Sequence, residues 1–411
     1  MENYDVIVIG GGPGGLAAAT TASKSAKVLL IEREAKLGGI LKQCIHDGFG
    51  VTRFGEKLSG PEYAYREIEK VLATDVDILK NTFVTNIEKK GEEIIVSFVN
   101  KDGLTKVSGK RLILATGCRE RTSKQVTIFG TNPAGVMTAG QAQFYINIMG
   151  KMPCNRCVIL GSGDIGLIMA RRLTLEGASV EGVYEAKPTP SGLSRNIAQC
   201  LTDFNIPLHL SHTVTRVFGV DRLEAVEISE VDEKMQPIAG TEKIVPCDTL
   251  ILSVGLIPEN ELAKSIAVPI NRFTKGPMVD QDFETLVDGV YSCGNAMHVN
   301  DLADYVSESG EIAGGSSARL ESKERALEKV NFDGNFAYVV PSYIDFNKNT
   351  EKMIFYFRSR GEYKNKTLKV MQGDEVLLKK NYSGLRPPEM EKVLLTVKNK
   401  GEIRFVLEDR V

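Results

Sequence analysis

The sequence predicts an α/β protein with two Rossmann-like dinucleotide-binding domains and a small all-β domain at its C-terminal end. Two glycine-rich motifs predict the paired domains, namely Gly10-Gly-Gly-Pro-Gly-Gly15 and Gly161-Ser-Gly-Asp-Ile-Gly166. Each motif follows an apolar run with the composition of a strand and precedes a helical segment, which is the context that makes such a motif informative. Short runs of β-forming residues after Glu328 predict the third domain.

The same local plan surrounds both motifs. In the first copy, residues 5–9 form the leading strand, an alanine-rich helix follows the glycines, and a second strand ends at Glu32. In the second copy, residues 157–160 form the leading strand, residues 167–176 form the helix, and a second strand ends at Glu185. The acid follows the first glycine by 22 residues in one copy and by 24 in the other. The sequence therefore predicts two working sites, and the alternative is one working site beside a structural copy.

The motif glycines and the two acids carry the binding chemistry. In each copy the glycines permit, in order, the tight turn, the approach of a pyrophosphate and the close packing of helix on strand. They are Gly10, Gly12 and Gly15 in the first copy and Gly161, Gly163 and Gly166 in the second. N–H groups and the dipole at the helix start hold the phosphates. Glu32 and Glu185 accept hydrogen bonds from an adenosine ribose and repel a ribose 2′-phosphate, which favours FAD in one site and NAD rather than NADP in the other.

Segments outside the two motifs complete a layout that resembles a known superfamily. Gly38-Gly39 follows the first motif, residues 112–117 form a strand that ends in small residues, and residues 289–295 form a strand that runs into a small-residue turn. In this order the motifs resemble the two-dinucleotide-binding-domain flavoprotein oxidoreductases, the superfamily that contains the thioredoxin reductases, over roughly residues 1–320. The resemblance implies that the first motif and the later strands hold FAD, and that an inserted domain holds NAD(P)H.

The order of the predicted elements gives the domain limits, and the resemblance implies the binding residues. The FAD-binding domain covers residues 1–118 and 256–328, the inserted NAD-binding domain covers 119–255, and the C-terminal β domain covers 329–411. FAD contacts are implied for Gly10, Gly12, Pro13, Gly14, Gly15, Glu32, Arg33, Gly38, Gly39, Val84, Ala115, Thr116, Gly117, Gly294 and Asn295. NAD contacts are implied for Gly161, Gly163, Asp164, Ile165, Gly166, Glu185 and Gly255.

Four further segments resemble a narrower group, namely residues 115–121, 133–140, 253–260 and 293–298. This group contains the NADH oxidase-type flavoprotein subunits associated with FAD-dependent glycerol-3-phosphate dehydrogenase, with relatives in sarcosine, opine and cyanide-forming amino acid dehydrogenase complexes. It implies hydride transfer from NADH to FAD and onward to oxygen or to a partner flavoprotein resembling glycerol-3-phosphate dehydrogenase, in an oligomer or hetero-complex. Two alternatives stay open: a subunit of an amino-acid, opine or amine dehydrogenase complex, and a non-catalytic flavoprotein that serves as scaffold or redox sensor.

The cysteines depart from the disulfide reductases of the superfamily. Those enzymes carry CxxxxC after the first Gly-Gly pair or CxxC in the nucleotide domain, whereas only Cys44 follows Gly39 here. Cys154 and Cys157 have CxxC spacing, but Cys157 begins a strand, so buried structural thiols are favoured. Cys44 resembles in position the sulfenic-acid cysteine of water-forming NADH oxidases, with a packing role as the alternative.

Two histidines are further candidates for catalysis. His46 lies in the expected flavin-proximal loop and is a candidate proton carrier, with simple solvation as the alternative. His298 precedes a helix, expected from residue 301, whose N-terminus points towards the flavin in the family; a flavin contact and a cap or packing role stay open. Asn295 replaces the family's usual aspartate and is able to hydrogen-bond the ribityl chain without bringing a charge.

Composition argues against several other classes of protein. The 411-residue chain has a formal net charge of −2 and no basic block, so no nucleic-acid partner is expected. No apolar run reaches membrane-spanning length, and no signal peptide is recognised. Seven scattered cysteines do not form an extracellular disulfide framework, so a cytoplasmic location is expected. No His/Cys/Asp cluster has metal-ligand spacing, and no metal is expected.

The C-terminal segment predicts a small β domain, such as a sandwich, and a docking role. Its β-forming runs are residues 354–357, 368–371, 376–378, 393–397 and 404–407. The segment contains neither His nor Cys, so we expect residues 330–411 to contribute to a subunit or partner interface. Phe355, Tyr356 and Phe357 are expected to be the buried anchors of that interface. The alternative is a self-contained cap on the FAD domain.

Overall fold

The predicted fold class is confirmed: the chain folds into two Rossmann-like α/β sheets and a C-terminal strand domain. The computed structural model describes residues 2–320, 324–348, 352–397 and 400–410. Its contacts define two compact units, one made of residues 1–118 and 258–411 and the other of residues 119–257. The C-terminal segment thus belongs to the first unit. Positions 321–323 of the expected FAD domain and positions 349–351, 398–399 and 411 of the expected β domain lie outside the described residues.

The helices and strands are numbered in chain order. Residues 2–120 contain β1 (Asn3–Ile9), α1 (Pro13–Ala22), β2 (Val28–Ile31), β3 (Asp47–Phe49), β4 (Leu58–Ser59), α2 (Gly60–Leu72), β5 (Asp77–Leu79), β6 (Phe83–Lys90), β7 (Glu93–Asn100), β8 (Gly103–Leu114) and β9 (Cys118–Glu120). Residues 121–258 contain β10 (Phe129–Gly130), β11 (Val136–Thr138), α3 (Ala139–Asn147), β12 (Arg156–Leu160), α4 (Asp164–Leu175), β13 (Ser179–Glu185), α5 (Ser194–Cys200), β14 (Leu208–Leu210), β15 (His212–Phe218), β16 (Ala225–Glu230), β17 (Lys243–Pro246), β18 (Thr249–Leu252) and β19 (Leu256–Pro258). The described part of the remaining chain contains α6 (Glu261–Ser265), β20 (Val290–Ser292), α7 (Ala303–Ser317), β21 (Leu327–Phe332), β22 (Phe336–Val340), β23 (Tyr343–Asp345), β24 (Met353–Ser359), β25 (Tyr363–Gln372), β26 (Glu375–Leu385), β27 (Glu391–Leu395) and β28 (Ile403–Asp409).

The main sheet of the first unit has the strand order β5-β2-β1-β8-β7-β6, and β20 also pairs with β8. Strands β5, β2, β1, β8 and β20 run parallel, while β6, β7 and the first half of β8 form an antiparallel meander. Every residue of β2 is buried, as expected for a parallel strand covered on both faces. The carboxyl ends of β1, β2, β8 and β20 consequently share one edge, where ligands bind in open α/β sheets.

Helices α1 and α7 cover this sheet and touch each other through small residues. A Cβ atom at Gly310 would collide with the carbonyl of Gly14, and one at Gly314 would collide with the carbonyl of Ala18. Only glycine at these positions lets the two backbones come this close. The contact fixes the first half of α1, which carries the end of the first motif, against the middle of α7.

The second unit contains a parallel sheet in the order β11-β18-β12-β13-β14 and a separate sheet in the order β10-β15-β16-β17. The strand predicted to end at Glu185 does so, as β13. Helix α4 begins at Asp164, three residues earlier than expected, because Gly163 of the motif is itself the N-cap. Cys154 and Cys157 are buried in the core of this unit, as predicted.

The C-terminal strands form two sheets around one core, in the orders β23-β21-β28-β25-β26 and β22-β24-β27. The prediction that three aromatic residues of β24 supply partner anchors is wrong, because Phe355, Tyr356 and Phe357 are all 0% exposed within this chain. Alternation along the strand directs Phe355 and Phe357 into the sandwich core, and Tyr356 into the core beside α1 and the main sheet. This burial is the one expected of a cap. An interface on other faces of residues 330–411 stays a prediction.

Candidate functional site

The first glycine motif joins β1 to α1 in a conformation that needs glycine. Gly10 has φ +109°, and a Cβ atom there would collide with the carbonyl of Ala115. A Cβ atom at Gly15 would collide with the carbonyl of Gly10. Gly12 is the N-cap of α1 and has no side chain to cap it, and Pro13 follows at the first helical position. The N–H groups of the first turn, including that of Gly14, lack intrahelical acceptors and suit an anionic phosphate.

Glu32 at the end of β2 is held against this motif. Its Oε2 atom accepts the N–H of Gly11 at 2.6 Å, and its Oε1 atom accepts the N–H of Glu34 at 2.8 Å. The residue is 6% exposed, so the carboxylate has a fixed position beside the glycine loop. Arg33 points outward and forms an ion pair with Glu259 at 3.3 Å. The carboxylate, rather than the arginine, is therefore the fixed polar group available to an adenosine ribose.

Most other residues expected to bind FAD lie at the same sheet edge. Gly38 and Gly39 have φ +105° and +56°, and a Cβ atom at Gly39 would come within 3.0 Å of the Gly12 Cα atom. The small residues after β8 and the turn after β20 also lie there: Ala115, Thr116, Gly117, Gly294 and Asn295. Val84 differs, because its side chain lies in the hydrophobic core of the sheet and is 8% exposed.

The second motif repeats the first in detail. Gly161 has φ +93°, and a Cβ atom there would collide with the carbonyl of Ser253. The Oε2 atom of Glu185 accepts the N–H and the hydroxyl of Ser162 at 3.0 and 2.6 Å, and its Oε1 atom accepts the N–H of Lys187 at 3.1 Å. The N–H of Gly166 is donated to the Ser253 hydroxyl at 3.0 Å. Each acid thus accepts the N–H after the first glycine and the N–H two residues beyond itself.

The remaining expected NAD residues have mixed positions. Gly163 is the N-cap of α4 and supplies no capping side chain. The Oδ1 atom of Asp164 accepts the N–H of Leu193 at 2.9 Å, so this carboxylate holds the following loop in place. Ile165 packs on the core of the unit, and Gly255 has φ +99°. The uncapped start of α4 therefore has free backbone N–H groups that suit an anionic phosphate.

Sequence reasoning missed Ser162, Ser253, Asn300 and Asp304. An internal comparison would have found Ser253, because residues 253–255 take the same place after β18 as residues 115–117 take after β8. The role of Ser162 could be recognised only from the position of the Glu185 carboxylate, to which it donates. No local pattern marks Asn300 or Asp304, whose partners lie elsewhere in the chain.

The loop that carries Cys44 and His46 is tied to the start of α7. The Asp304 carboxylate in the first turn of α7 accepts the N–H of Gly50 at 3.1 Å and of Thr52 at 2.8 Å. The Cys44 thiol donates to the carbonyl of Ile40 at 3.4 Å, and burial raises the pKa of Cys44 to about 12. The thiol is therefore protonated near neutral pH, whereas sulfenic-acid chemistry needs a thiolate.

The two candidate histidines have opposite surroundings. His46 is half-buried, with its ring 5.0 Å from that of Phe49, so it keeps access to solvent. His298 is 0% exposed and lies 6.1 Å from the ring of Tyr338 and 5.2 Å from that of Tyr356. Neither ring nitrogen of His298 has a hydrogen-bond partner among the described residues. Burial, and then the nearby Arg358 guanidinium, lower the pKa of His298 to about 3, so this ring is neutral and packed. A proton-carrying role for His46 stays a prediction.

Two absences hold for the residues that the structure describes. No group of three or more His, Cys, Asp or Glu side chains in these ranges is placed to hold a metal ion. No helix within them is both long and apolar enough to cross a membrane.

Comparisons with known proteins agree with this geometry. The family model for pyridine nucleotide-disulphide oxidoreductases matches residues 4–313. The HcnB subunit of hydrogen cyanide synthase from Pseudomonas protegens is 26% identical over 78% of this chain and 69% of that protein. An opine oxidase subunit of Agrobacterium tumefaciens is 24% identical over 79% and 65%. An NADH oxidase of Methanocaldococcus jannaschii is 26% identical over 77% and 70%. The chain therefore spans about two thirds of the length of these relatives.

The chain is similar in fold to a solved thioredoxin reductase structure. Thioredoxin reductase of T. acidophilum superposes with a TM-score of 0.62 and 21% identity, and the match covers 77% of this chain and 98% of the other. At this identity the likeness concerns the fold alone.

Proposed function

Because the chain belongs to the pyridine nucleotide-disulphide oxidoreductase family, which uses FAD and NAD(P)H, we propose that it is an FAD-dependent NADH dehydrogenase or oxidase. Membership makes the chain a flavin-dependent pyridine nucleotide oxidoreductase. NADH as the donor, and oxygen or a partner flavoprotein as the acceptor, are our proposal. The NADH oxidase among the relatives supports the oxidase activity.

The observation that carries the proposal is the matched pair of buried, pinned carboxylates. Glu32 and Glu185 are each 6% exposed, and each accepts two backbone N–H groups. Each lies at the carboxyl edge of its sheet, beside a helix whose N-terminus has no side-chain cap. Each unit therefore offers one dinucleotide site with an acid at the ribose position. A buried carboxylate beside a ribose 2′-phosphate is electrostatically unfavourable, which supports NADH over NADPH at Glu185.

The protein's own part in the reaction is to hold FAD and NADH and to orient them. When bound, NADH supplies a hydride that FAD accepts, so the reactive chemistry belongs to the cofactors. The starts of α1 and α4 hold the pyrophosphates, and Glu32 and Glu185 fix the adenosine riboses. The N-terminal end of α7 supplies positive potential next to Asn295.

The cysteines and the relatives of this chain support our proposal for the acceptor of electrons from the reduced flavin. The sequence lacks CxxxxC after Gly39, and the CxxC thiols at Cys154 and Cys157 are buried. A dithiol relay is therefore not part of the proposal. The protonated Cys44 thiol supports peroxide rather than water as the product with oxygen. Relatives named as subunits of hydrogen cyanide synthase and opine oxidase support a hetero-complex, for which we propose a partner flavoprotein resembling glycerol-3-phosphate dehydrogenase.

One further function has a specific observation in its favour. Because the relatives include HcnB and an opine oxidase subunit, the chain is also a candidate component of an opine or amino-acid dehydrogenase complex. Steady-state assays of the purified holoprotein separate the two functions. Our proposal expects NADH oxidation with oxygen or with a co-purifying flavoprotein. Reduction of the flavin by an opine or amino acid, with no response to NADH, would support the second function instead.

A further inference from the structure

Arg358 of the C-terminal β domain reaches the segment that joins Asn295 to helix α7. Its side chain is 15% exposed and forms an ion pair with Asp301. It also donates to the Val299 carbonyl at 3.3 Å and to the Tyr338 hydroxyl at 2.9 Å. One guanidinium from the β domain therefore holds both residues that flank position 300.

Asn300 links this held segment to Asn295. The backbone N–H of Asn300 donates to the Asn295 Oδ1 atom at 3.0 Å, and the Asn300 side-chain amide donates to the same atom at 3.3 Å. That amide also donates to the His298 carbonyl at 2.9 Å, which closes the turn. Since Asn300 occupies the Oδ1 atom, the Asn295 side chain has one orientation, with its amide nitrogen 3.5 Å from the Cys118 sulfur.

A second set of contacts from the β domain secures the same region. The Asp301 carboxylate also accepts the N–H of Met390 at 2.6 Å. One turn into α7, Glu308 accepts the Tyr356 hydroxyl at 2.8 Å and the Lys392 ammonium at 2.5 Å. The β domain therefore holds the approach to α7 through Asp301 and its second turn through Glu308.

We infer that the C-terminal β domain completes the FAD site, with Arg358 as a positioning residue that orients Asn295 through residues 299–301. The inference rests on the proposed function, because it assumes that FAD binds at this sheet edge. A neutral side chain at position 358 leaves the partly buried Asp301 carboxylate and the Val299 carbonyl without this donor. The turn then relaxes, and Asn295 loses the fixed orientation that a ribityl hydroxyl requires. A β domain that only shields the core would not change flavin binding in this way.

FAD titration of the full-length apo-protein tests the inference. The variant is Arg358→Gln, and the matched control is Arg360→Gln, because Arg360 follows the same strand but is exposed. We expect Arg358→Gln to weaken FAD binding about tenfold or more, as the loss of a charge-assisted hydrogen bond would, and to shift the visible circular dichroism of bound flavin. Arg360→Gln should match wild type in both. Wild-type affinity and spectrum in Arg358→Gln would overturn the inference.

Two further variants keep the test decisive even if Arg358→Gln does not fold. Asn300→Ala and Asp301→Asn interrupt the same path at separate points and should each weaken FAD binding in the same direction. When Arg358→Gln and Asn300→Ala are combined, the loss should be smaller than the product of the single effects, because both act through Asn295. Independent effects would contradict the inference, as would unchanged binding in Asn300→Ala and Asp301→Asn. Failure of the wild type to bind FAD would instead refute the proposed function.

Discussion

The Glu185 carboxylate accepts both the backbone N–H and the hydroxyl of Ser162, at 3.0 and 2.6 Å. In the first motif the corresponding Glu32 meets Gly11, which offers only its N–H. The second carboxylate is therefore held at the same place by one more donor. Its position fixes where a ribose hydroxyl is accepted and where a 2′-phosphate is repelled.

Coenzyme preference depends on Glu185. We expect wild-type kcat/KM for NADH to exceed that for NADPH by about tenfold or more, because a buried like-charge encounter opposes the 2′-phosphate. Glu185→Arg should narrow or reverse this ratio. Glu230→Arg, at an exposed strand end of the same unit, is the control and should leave it unchanged. Equal wild-type values for the two coenzymes would remove the basis for the assignment.

Ser162→Ala removes the additional donor while keeping the backbone contact. We expect KM for NADH to rise several-fold, by up to about tenfold, because a hydrogen bond to a charged group is lost. FAD content and the maximal rate of flavin reduction should stay at wild-type values. A fall in FAD content with an unchanged KM would show that Ser162 does not act on the second site.

Cys44→Ser tests the redox alternative. Because burial raises the pKa of Cys44 to about 12, the thiol is a poor source of thiolate, and the variant should keep NADH-dependent flavin reduction with hydrogen peroxide as the oxygen product. Paired oxygen and peroxide measurements check this. A wild-type enzyme that forms water without accumulating peroxide, and loses that property in Cys44→Ser, would establish a redox role.

Two adjacent glycines of α7 provide a matched test of the contact with α1. A Cβ atom at Gly314 would collide with the Ala18 carbonyl, whereas one at Gly315 meets only the Thr21 methyl group at 3.6 Å. Gly314→Ala should lower the free energy of unfolding by about 1–3 kcal/mol. Gly315→Ala should be neutral or stabilising by up to about 1 kcal/mol, because alanine favours helix. Urea denaturation compares them, and equal effects would contradict the packing described.

The buried His298 should make stability depend on pH. Its pKa is about 3 in the folded chain, against an ordinary value of 6.5, so the unfolded chain binds the additional proton between these values. Stability is therefore lost as pH falls below 6.5, by roughly 1.4 kcal/mol per pH unit. His298→Phe should flatten this slope in urea denaturation at pH values from neutral to about 5. An unchanged slope in His298→Phe would show that His298 does not cause this pH dependence of stability.

The glycine motifs and their acids could be predicted because their roles are local. Gly10, Gly161, Glu32 and Glu185 act within one strand-turn-helix unit, so spacing alone places them. Alternation predicts that neighbouring residues of β24 face opposite sides, but not that both sides are covered by this chain.

Long-range partners leave no such local signal. Arg358 and Asn300 lie 58 positions apart, and their relation depends on how the β domain docks on α7. His298 illustrates the same limit. The sequence suggests a flavin contact for this residue, whereas the tyrosines that enclose it come from β22 and β24.

Anaerobic stopped-flow reduction of the purified holoprotein tests the central claim most directly. Flavin absorbance is followed after mixing with NADH, and NADPH is used in a parallel experiment. We predict complete bleaching of the flavin by NADH in a single fast phase that saturates with coenzyme, and far slower bleaching by NADPH. A protein that carries FAD but is not reduced by NADH, or one that is reduced equally fast by both coenzymes, would contradict the account.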